Sequence, residues 1–219
     1  MGGPDASQLR KLILVPAVVT LAVTLLRLVG ELQGWSATLF SRQAGGAGAL
    51  VGIVWLAPVF GVYFALKLAA AGRGPAGPGP ALGWALLGLA VVPAAGAVSA
   101  LLGVPQQSLT TLVVFVVGSA LGAALTFRGW PSLARTLLAY GLAARIPVVI
   151  VMLFAILGRW GTHYDALPPG FPEKSPLATW LLIGVMPQLT IWIWFTLAAG
   201  GIVGALALAL TGRRRGSPA

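Results

Sequence analysis

The stretch 177–210, LATWLLIGVMPQLTIWIWFTLAAGGIVGALALAL, contains 34 consecutive residues without a charge. As one straight helix it is about 51 Å long at ~1.5 Å per residue, whereas the hydrocarbon core of a bilayer is about 30 Å thick. Proline removes a helix hydrogen bond and disfavours helix at the preceding residue, so we expect a break near Pro187. The stretch predicts a last membrane span at about 188–210, preceded by an outer interfacial or re-entrant segment.

Five more apolar runs are long enough to cross a membrane, at about 12–29, 48–70, 82–102, 109–127 and 133–157. The segment 71–80, AGRGPAGPGP, is too rich in glycine and proline to be helical, so it separates the second and third runs. Proline interrupts all the runs except the fourth, at Pro16, Pro58, Pro93, Pro147 and Pro187. We therefore predict one polytopic domain over residues 1–219, an all-α integral membrane protein with six transmembrane helices and proline-broken spans.

The composition excludes several classes of protein. Only 8% of the residues are charged, against about 25% in a soluble domain. The absence of cysteine excludes disulfides, thiol nucleophiles, iron–sulfur clusters and thiolate zinc sites. A net charge of +10 is explained by arginine and lysine that meet anionic membrane lipid, so we expect lipid partners and no nucleic acid. Abundant glycine and alanine, with arginine favoured over lysine, fit a high-GC bacterial gene and hence the bacterial inner membrane.

The basic residues divide unequally between the two sides of the predicted bundle. Nine of the 14 lie on the side of the two chain ends: Arg10, Lys11, Lys67, Arg73, Arg128, Arg135, Arg213, Arg214 and Arg215. Three lie on the other side: Arg42, Arg159 and Lys174. Because cytoplasmic loops carry the excess of basic residues, this bias predicts that both termini are cytoplasmic.

Arg145 is the most informative single residue. The apolar stretch after it, 146–158, has 13 residues and covers only about 20 Å, which is too short for a membrane core. The fifth span must therefore include Arg145, although an arginine at a helix centre costs about 2.5–3.5 kcal/mol. Candidate partners are carbonyls freed near Pro147 or Pro187, the Gln188 side chain, a lipid phosphate or an anionic ligand. A purely architectural, snorkelling arginine is the alternative.

The other polar residues of interest gather on the predicted outer face. Arg27 and Glu31 are four residues apart at the end of the first span, so they share a helix face and can pair, or form a charged vestibule. In the outer loop 159–176, His163 and Asp165 have a spacing that suits an acid–base pair, a metal ion or local hydrogen bonds that shape the loop. We expect this loop to cap the bundle with both side chains near Glu31. With a single histidine and no cofactor motif, we expect neither a metal nor a cofactor.

Three functions are compatible with these features. The first is a transport or channel-like protein for an anionic or amphiphilic solute, with Arg145, Gln188, Arg27, Glu31, His163 and Asp165 as candidate ligand-binding residues. The second is a non-catalytic membrane subunit that packs against a partner protein or a second copy. The third is an outer-face lipid-modifying enzyme, for which no catalytic residue is assigned. The absence of a catalytic signature argues against an enzyme.

The orientation can be tested because the chain has no cysteine of its own. A membrane-impermeant maleimide added from outside should label cysteines introduced at Thr162 and Ser175, but not those at Ala76 or Ser217. Labelling of intact cells and of opened vesicles, compared for each variant, gives the accessible side. Labelling of Ala76→Cys from outside would reverse the assigned orientation.

Overall fold

A computed structural model describes residues 4–46, 48–106 and 108–215, with side chains up to Thr211. The structure is 76% helix, and the described ranges contain no strand. Within them, six helices are long and apolar enough to cross a membrane: Ala6–Leu32, Ile53–Ala70, Pro78–Leu101, Leu109–Gly129, Pro131–Gly158 and Pro176–Thr211. The all-α fold class and the six candidate spans are confirmed, and they suggest a multi-pass membrane protein.

The helices are numbered in chain order. They are α1 (Ala6–Leu32), α2 (Leu56–Ala70, after a 3₁₀ turn Ile53–Trp55), α3 (Pro78–Leu101), α4 (Leu109–Gly129) and α5 (Pro131–Gly158). The last span consists of α6 (Pro176–Thr179), a π-helical segment Trp180–Val185, α7 (Met186–Leu189) and α8 (Ile191–Arg215). Ser217, one of the proposed labelling positions, lies outside the described residues.

The helix ends follow local sequence signals. Asp5 caps α1 by accepting a hydrogen bond from the Gln8 amide, and Ser108 caps α4 in the same way. Prolines occupy the first helical positions of α3 and α5, where their missing N–H costs nothing. The second span begins at Ile53 instead of the predicted position 48, because Gly48 has a positive φ of 76° and Gly52 is extended.

The predicted proline breaks are not confirmed. Pro16, Pro93 and Pro147 lie inside helices that continue on both sides of the proline. Each such proline removes one hydrogen bond, while the turns before and after it keep theirs. Near Pro187 the helix is irregular: the π-helical segment precedes α7, and Thr190 follows it with φ −117° and ψ −76°.

Glycines allow the helices to approach closely. The α-carbon of Gly200 in α8 would lie 2.5 Å from a β-carbon added at Gly61 in α2, and the carbonyl of Gly122 in α4 would lie 2.6 Å from one added at Gly88 in α3. The Trp194 indole of α8 also donates a hydrogen bond of 2.6 Å to the Gly88 carbonyl. Helix α8 thus packs directly on α2, α3, α4 and α5. In lipid such close packing replaces the hydrophobic drive that joins helices in water.

The two ends of the bundle differ in what they hold. At one end, which we call the terminal face, the linker 71–77 meets the N-terminal part of α1 through a bond of 2.6 Å from Arg73 to Gln8. Trp130 donates to the Arg73 carbonyl there at 2.8 Å. The opposite end, the loop face, carries the loops 33–52 and 159–175. The loop face therefore contains most of the acidic residues and the histidine.

The glycine contacts predict opposite effects for two substitutions of the same kind. Gly61→Ala should destabilise the bundle by about 1–3 kcal/mol, because the added methyl has no space beside Gly200. Gly83→Ala, in α3, meets nothing within 4 Å and should be neutral or stabilising by up to ~1 kcal/mol. Thermal unfolding in detergent measures both variants, and equal melting temperatures would contradict the α2–α8 contact.

Candidate functional site

A line of polar side chains is buried between α1, α5 and the loop 159–175, and we call it the polar seam. Its residues are Thr20, Thr24, Arg27 and Glu31 of α1, Tyr140 and Arg145 of α5, and His163 and Tyr164 of the loop. The α1 residues follow one another at intervals of three or four positions, so they lie on one helix face. That face packs against α5.

Glu31 is the centre of the part of the seam that lies next to the loop face. Its side chain has no exposed surface, yet both carboxylate oxygens are hydrogen-bonded. Oε1 accepts from Arg27 Nε at 2.8 Å and lies 2.5 Å from His163 Nδ1. Oε2 accepts from the His163 backbone amide at 2.8 Å. The predicted Arg27–Glu31 pair is therefore present, and His163 lies beside Glu31 as expected.

Arg27 and Arg42 attach the loop 33–52 to the end of α1. Arg27 Nη2 donates to the carbonyls of Ser41 at 3.0 Å and Gly46 at 3.2 Å, and Arg42 Nη2 donates to the backbone carbonyl of Glu31. Gly46 has a φ of 77°, and a β-carbon added there would lie 3.3 Å from the Arg27 guanidinium. The loop is therefore shaped around the Arg27 side chain.

Asp165, unlike His163, forms its hydrogen bonds within its own loop. It accepts hydrogen bonds from the amides of Gly161 and Thr162 at 2.9 and 2.7 Å and from the Thr162 hydroxyl at 2.7 Å. A short polar side chain that bonds neighbouring amides in this way stabilises a turn. The turn leaves Thr162 only 1% exposed, so Ser175, which is exposed, is the more accessible labelling position.

The two candidate residues of the loop 159–175, His163 and Asp165, thus have different hydrogen-bond partners. His163 hydrogen-bonds Glu31 from another element, whereas Asp165 shapes its own loop. The described ranges contain no group of three or more histidine or carboxylate side chains close enough to hold a metal ion. The chemistry available to this loop therefore rests on His163 with Glu31.

Tyrosine and threonine hydroxyls continue the seam from Glu31 toward the middle of the bundle. Tyr164 donates to the Thr24 carbonyl at 3.1 Å, and its ring lies against the His163 imidazole with 3.9 Å between centroids. Tyr140 and Thr20 share a hydrogen bond of 2.8 Å. Tyr164 thus bonds α1 from the loop that carries His163, and Tyr140 bonds α1 from the helix that carries Arg145.

Arg145 lies at the middle of α5, fourteen residues after Pro131 and thirteen before Gly158. It is 5% exposed. Its Nη1 donates to Gln188 Oε1 at 3.0 Å, and its guanidinium lies 4.6 Å from the centroid of the Trp192 ring. The sequence had named Gln188 as a candidate partner, and the structure brings the two together. A cation over an indole is stabilised by the ring quadrupole, but neither Gln188 nor Trp192 carries a compensating charge.

Several seam residues were not predicted. These are Thr20, Thr24, Tyr140 and Tyr164; the contact of Trp192 with Arg145 was not predicted either. A signal for the threonines was present, because positions 20, 24, 27 and 31 share one face of an otherwise apolar helix. Trp192 is four residues after Gln188, but its position over Arg145 depends on how α5 and α8 cross.

A small cavity inside the described bundle lies away from the seam. It has a volume of about 10 Å³ and is lined by residues of α3, α4, α5 and α8, including Ala81, Thr126 and Leu197. A cavity needs about 10–15 Å³ to hold one water molecule. This space is therefore too small for any solute larger than water.

His163 predicts a pH dependence of stability. Burial lowers the pKa of His163 below its ordinary value of 6.5; the hydrogen bond to Glu31 opposes this shift and nearby Arg27 adds to it. The unfolded chain then binds the proton more readily than the folded chain does. Stability contributed by neutral His163 is present above about pH 6.5 and is lost as the pH falls below it.

The measurement is the melting temperature in detergent from pH 8 to pH 5, for the natural chain and for His163→Asn. Asparagine retains an N–H donor near the position of Nδ1 but does not titrate in this range. The natural chain should lose more stability on acidification than the variant. Identical pH profiles would contradict a neutral, buried His163.

No protein-family model, no curated protein and no solved structure matches this chain. The function therefore has to be argued from the residues of the polar seam and the loops attached to it.

Proposed function

We propose that this protein is a multi-pass protein of the bacterial inner membrane, with both termini cytoplasmic, that transports or conducts an anionic or amphiphilic solute. Arg145 is the polar determinant of the proposed pathway. The observation that carries the proposal is a buried, centrally placed arginine whose charge meets no carboxylate among the described residues. The orientation and the membrane follow from the basic bias and the composition.

The charges near Arg145 support this proposal. Glu31 is the one carboxylate inside the described spans, and it is already paired with Arg27 and hydrogen-bonded to His163. A lone arginine at the centre of a helix costs about 2.5–3.5 kcal/mol on membrane-insertion scales. A phosphate, sulfonate or carboxylate would compensate that cost through paired hydrogen bonds. An anionic solute is thus the partner that the site lacks.

The segment before α8 offers a way to open the site. We propose that the segment 176–186 lies at the outer membrane interface as an interfacial or re-entrant gate, with a break of the span at Pro187. Its π-helical stretch supports this role, because π-helical turns occur frequently at functional sites. Trp180 anchors the stretch to α5 by a hydrogen bond of 2.9 Å to the Val149 carbonyl. Movement of this segment would shift Gln188 relative to Arg145.

A second candidate function is a non-catalytic membrane subunit that packs against a partner subunit or a second copy. The bundle is tightly packed, since its glycines are in close contact and its cavity is small. Such packing favours a non-catalytic subunit. An outer-face lipid-modifying enzyme is a third candidate, resting on His163 and Glu31. In each case membrane lipids are the proposed partners and nucleic acid is not.

If the protein transports an anionic solute past Arg145, substitutions of Arg145 should reduce the solute flux without a comparable loss of stability. In proteoliposomes, Arg145→Leu should abolish the efflux of octanesulfonate, and Arg145→Lys should reduce it by about tenfold. A charge-assisted hydrogen bond contributes ~1.5–3 kcal/mol, and lysine cannot reproduce the two-point contact. Both variants should retain the melting temperature of the natural chain within a few degrees.

The matched control is Arg128→Leu, which removes an exposed arginine that lies over Trp84 at the terminal face. Its flux should equal that of the natural chain. Unchanged flux in Arg145→Leu, or a flux no greater than that of empty vesicles for the natural chain, would overturn transport. A sharp fall in the melting temperature of Arg145→Leu would assign the residue to the architecture instead.

A further inference from the structure

We propose that the site formed by Arg145 and Gln188 selects an amphiphile with a single negative charge: a carboxylate, sulfonate or phosphodiester headgroup on an apolar body. This inference rests on the proposed binding of an anionic solute at Arg145 and narrows the class of that solute. It derives from the number of charges in the polar seam, the free donors of the site and the apolar side chains around it.

The first step is the charge of the seam. Arg27 and Glu31 form an ion pair, and burial favours the neutral form of His163. Arg145 is then the one uncompensated charge of the seam within the described residues. One negative charge on a ligand neutralises it, whereas a dianion would leave a buried negative charge without a partner. An unpaired buried charge is strongly unfavourable.

The second step is the geometry of the donors. Arg145 uses Nη1 for Gln188 and presents one face of its guanidinium to Trp192. Among the described residues, the hydrogen bond to Gln188 is the one that its guanidinium donates. Gln188 Nε2 has only the Met152 sulfur as an acceptor, at 3.8 Å, and a thioether is a weak acceptor. The site therefore has a free two-point edge and a second donor, which suits a headgroup with two oxygens.

The third step is the apolar surface beside these donors. Met152 belongs to a buried cluster with Val148 and Ala155, and Trp180 and Ile183 of the last span pack against it. Methionine adapts its side chain to irregular partners. An apolar body that displaces Trp180 and Ile183 from this cluster would be bound beside Met152 while its headgroup reaches Arg145. A small inorganic anion would make no use of this surface.

The test compares probes that share one tail and differ in head charge. Octanesulfonate, octyl phosphate and octyltrimethylammonium are titrated into the purified full chain in maltoside detergent, with tryptophan fluorescence as the readout, since Trp192 lies at the site. At about pH 8.5 octyl phosphate is a dianion. Octanesulfonate should bind at least about tenfold more tightly than the other two. Equal affinity for all three would indicate partitioning of a surfactant and would overturn the inference.

Two further probes identify the source of the headgroup. Methanesulfonate has the headgroup without the tail and should bind at least about tenfold more weakly than octanesulfonate. Dioctanoyl phosphatidylglycerol has a singly charged phosphodiester on a lipid body. Binding of this lipid in competition with octanesulfonate identifies a membrane lipid as a ligand of the site, whereas its failure to compete assigns the site to a smaller solute. Methanesulfonate binding as tight as that of octanesulfonate would overturn the amphiphile requirement.

The sharpest variant supplies the missing charge from within the protein. Gln188→Glu places a carboxylate where Oε1 now lies 3.0 Å from the guanidinium, so it should reduce octanesulfonate affinity by at least about tenfold while the melting temperature is maintained or raised. Gln188→Met has a similar length and no charge; it removes the amide donor without adding a carboxylate, so it should reduce the affinity, but by less than Gln188→Glu does. Unchanged binding in Gln188→Glu would overturn the site.

Folding and transport are controlled separately. If Gln188→Glu does not elute as a monodisperse peak, Arg145→Leu decides, and binding retained in that variant would overturn the inference. Selective binding without flux in proteoliposomes leaves the inference standing and overturns transport. Flux that is indifferent to head charge supports transport and overturns the inference. Arg128→Leu serves again as the matched control, and its affinity should equal that of the natural chain.

Discussion

A carboxylate that is removed from water must be fully paired, and Glu31 meets this requirement with groups from two other parts of the chain. Arg27 supplies a helix neighbour, while His163 supplies a backbone amide and a ring nitrogen from the loop 159–175. Arg42 bonds the carbonyl of the same residue from the loop 33–52. Both long loops of the loop face are therefore fixed by one residue at the end of α1. Loss of any of these partners would leave a buried charge or a buried donor unsatisfied.

The polar seam and the closest glycine contacts involve different helices. In the seam, hydroxyls of α1, α5 and the loop 159–175 hydrogen-bond one another or carbonyls of α1. The glycine contacts join α2 to α8 through Gly61 and Gly200, and α3 to α4 through Gly88 and Gly122. Arg145 lies between these two regions, because it belongs to α5 and bonds Gln188, which precedes α8. A displacement of α8 would consequently change the hydrogen bond between Gln188 and Arg145 before it changed the contacts of α1.

The sequence was sufficient for the helices but only partly so for the site. Run length and scarcity of charge predicted all six candidate spans, because the membrane core sets both. Helical spacing predicted the Arg27–Glu31 pair, and the shortness of 146–158 predicted the position of Arg145. The hydrogen bonds of Asp165 within its own turn could not be predicted, since sequence proximity to His163 does not show which amides its oxygens accept from. Continuous helix through Pro16, Pro93 and Pro147 could not be predicted either, because the turns beside each proline determine it.

The separation of Glu31 and His163 along the chain has a consequence for biosynthesis. The two residues are 132 positions apart, so α1 is synthesised long before its final partner. During that interval Arg27, one helical turn away, is the group that neutralises Glu31. The contacts of His163 and Tyr164 form only after the fifth helix has been made. The contacts between the loop 159–175 and α1 are thus the last contacts of the seam to form. The positions of the seam residues along the chain determine this order.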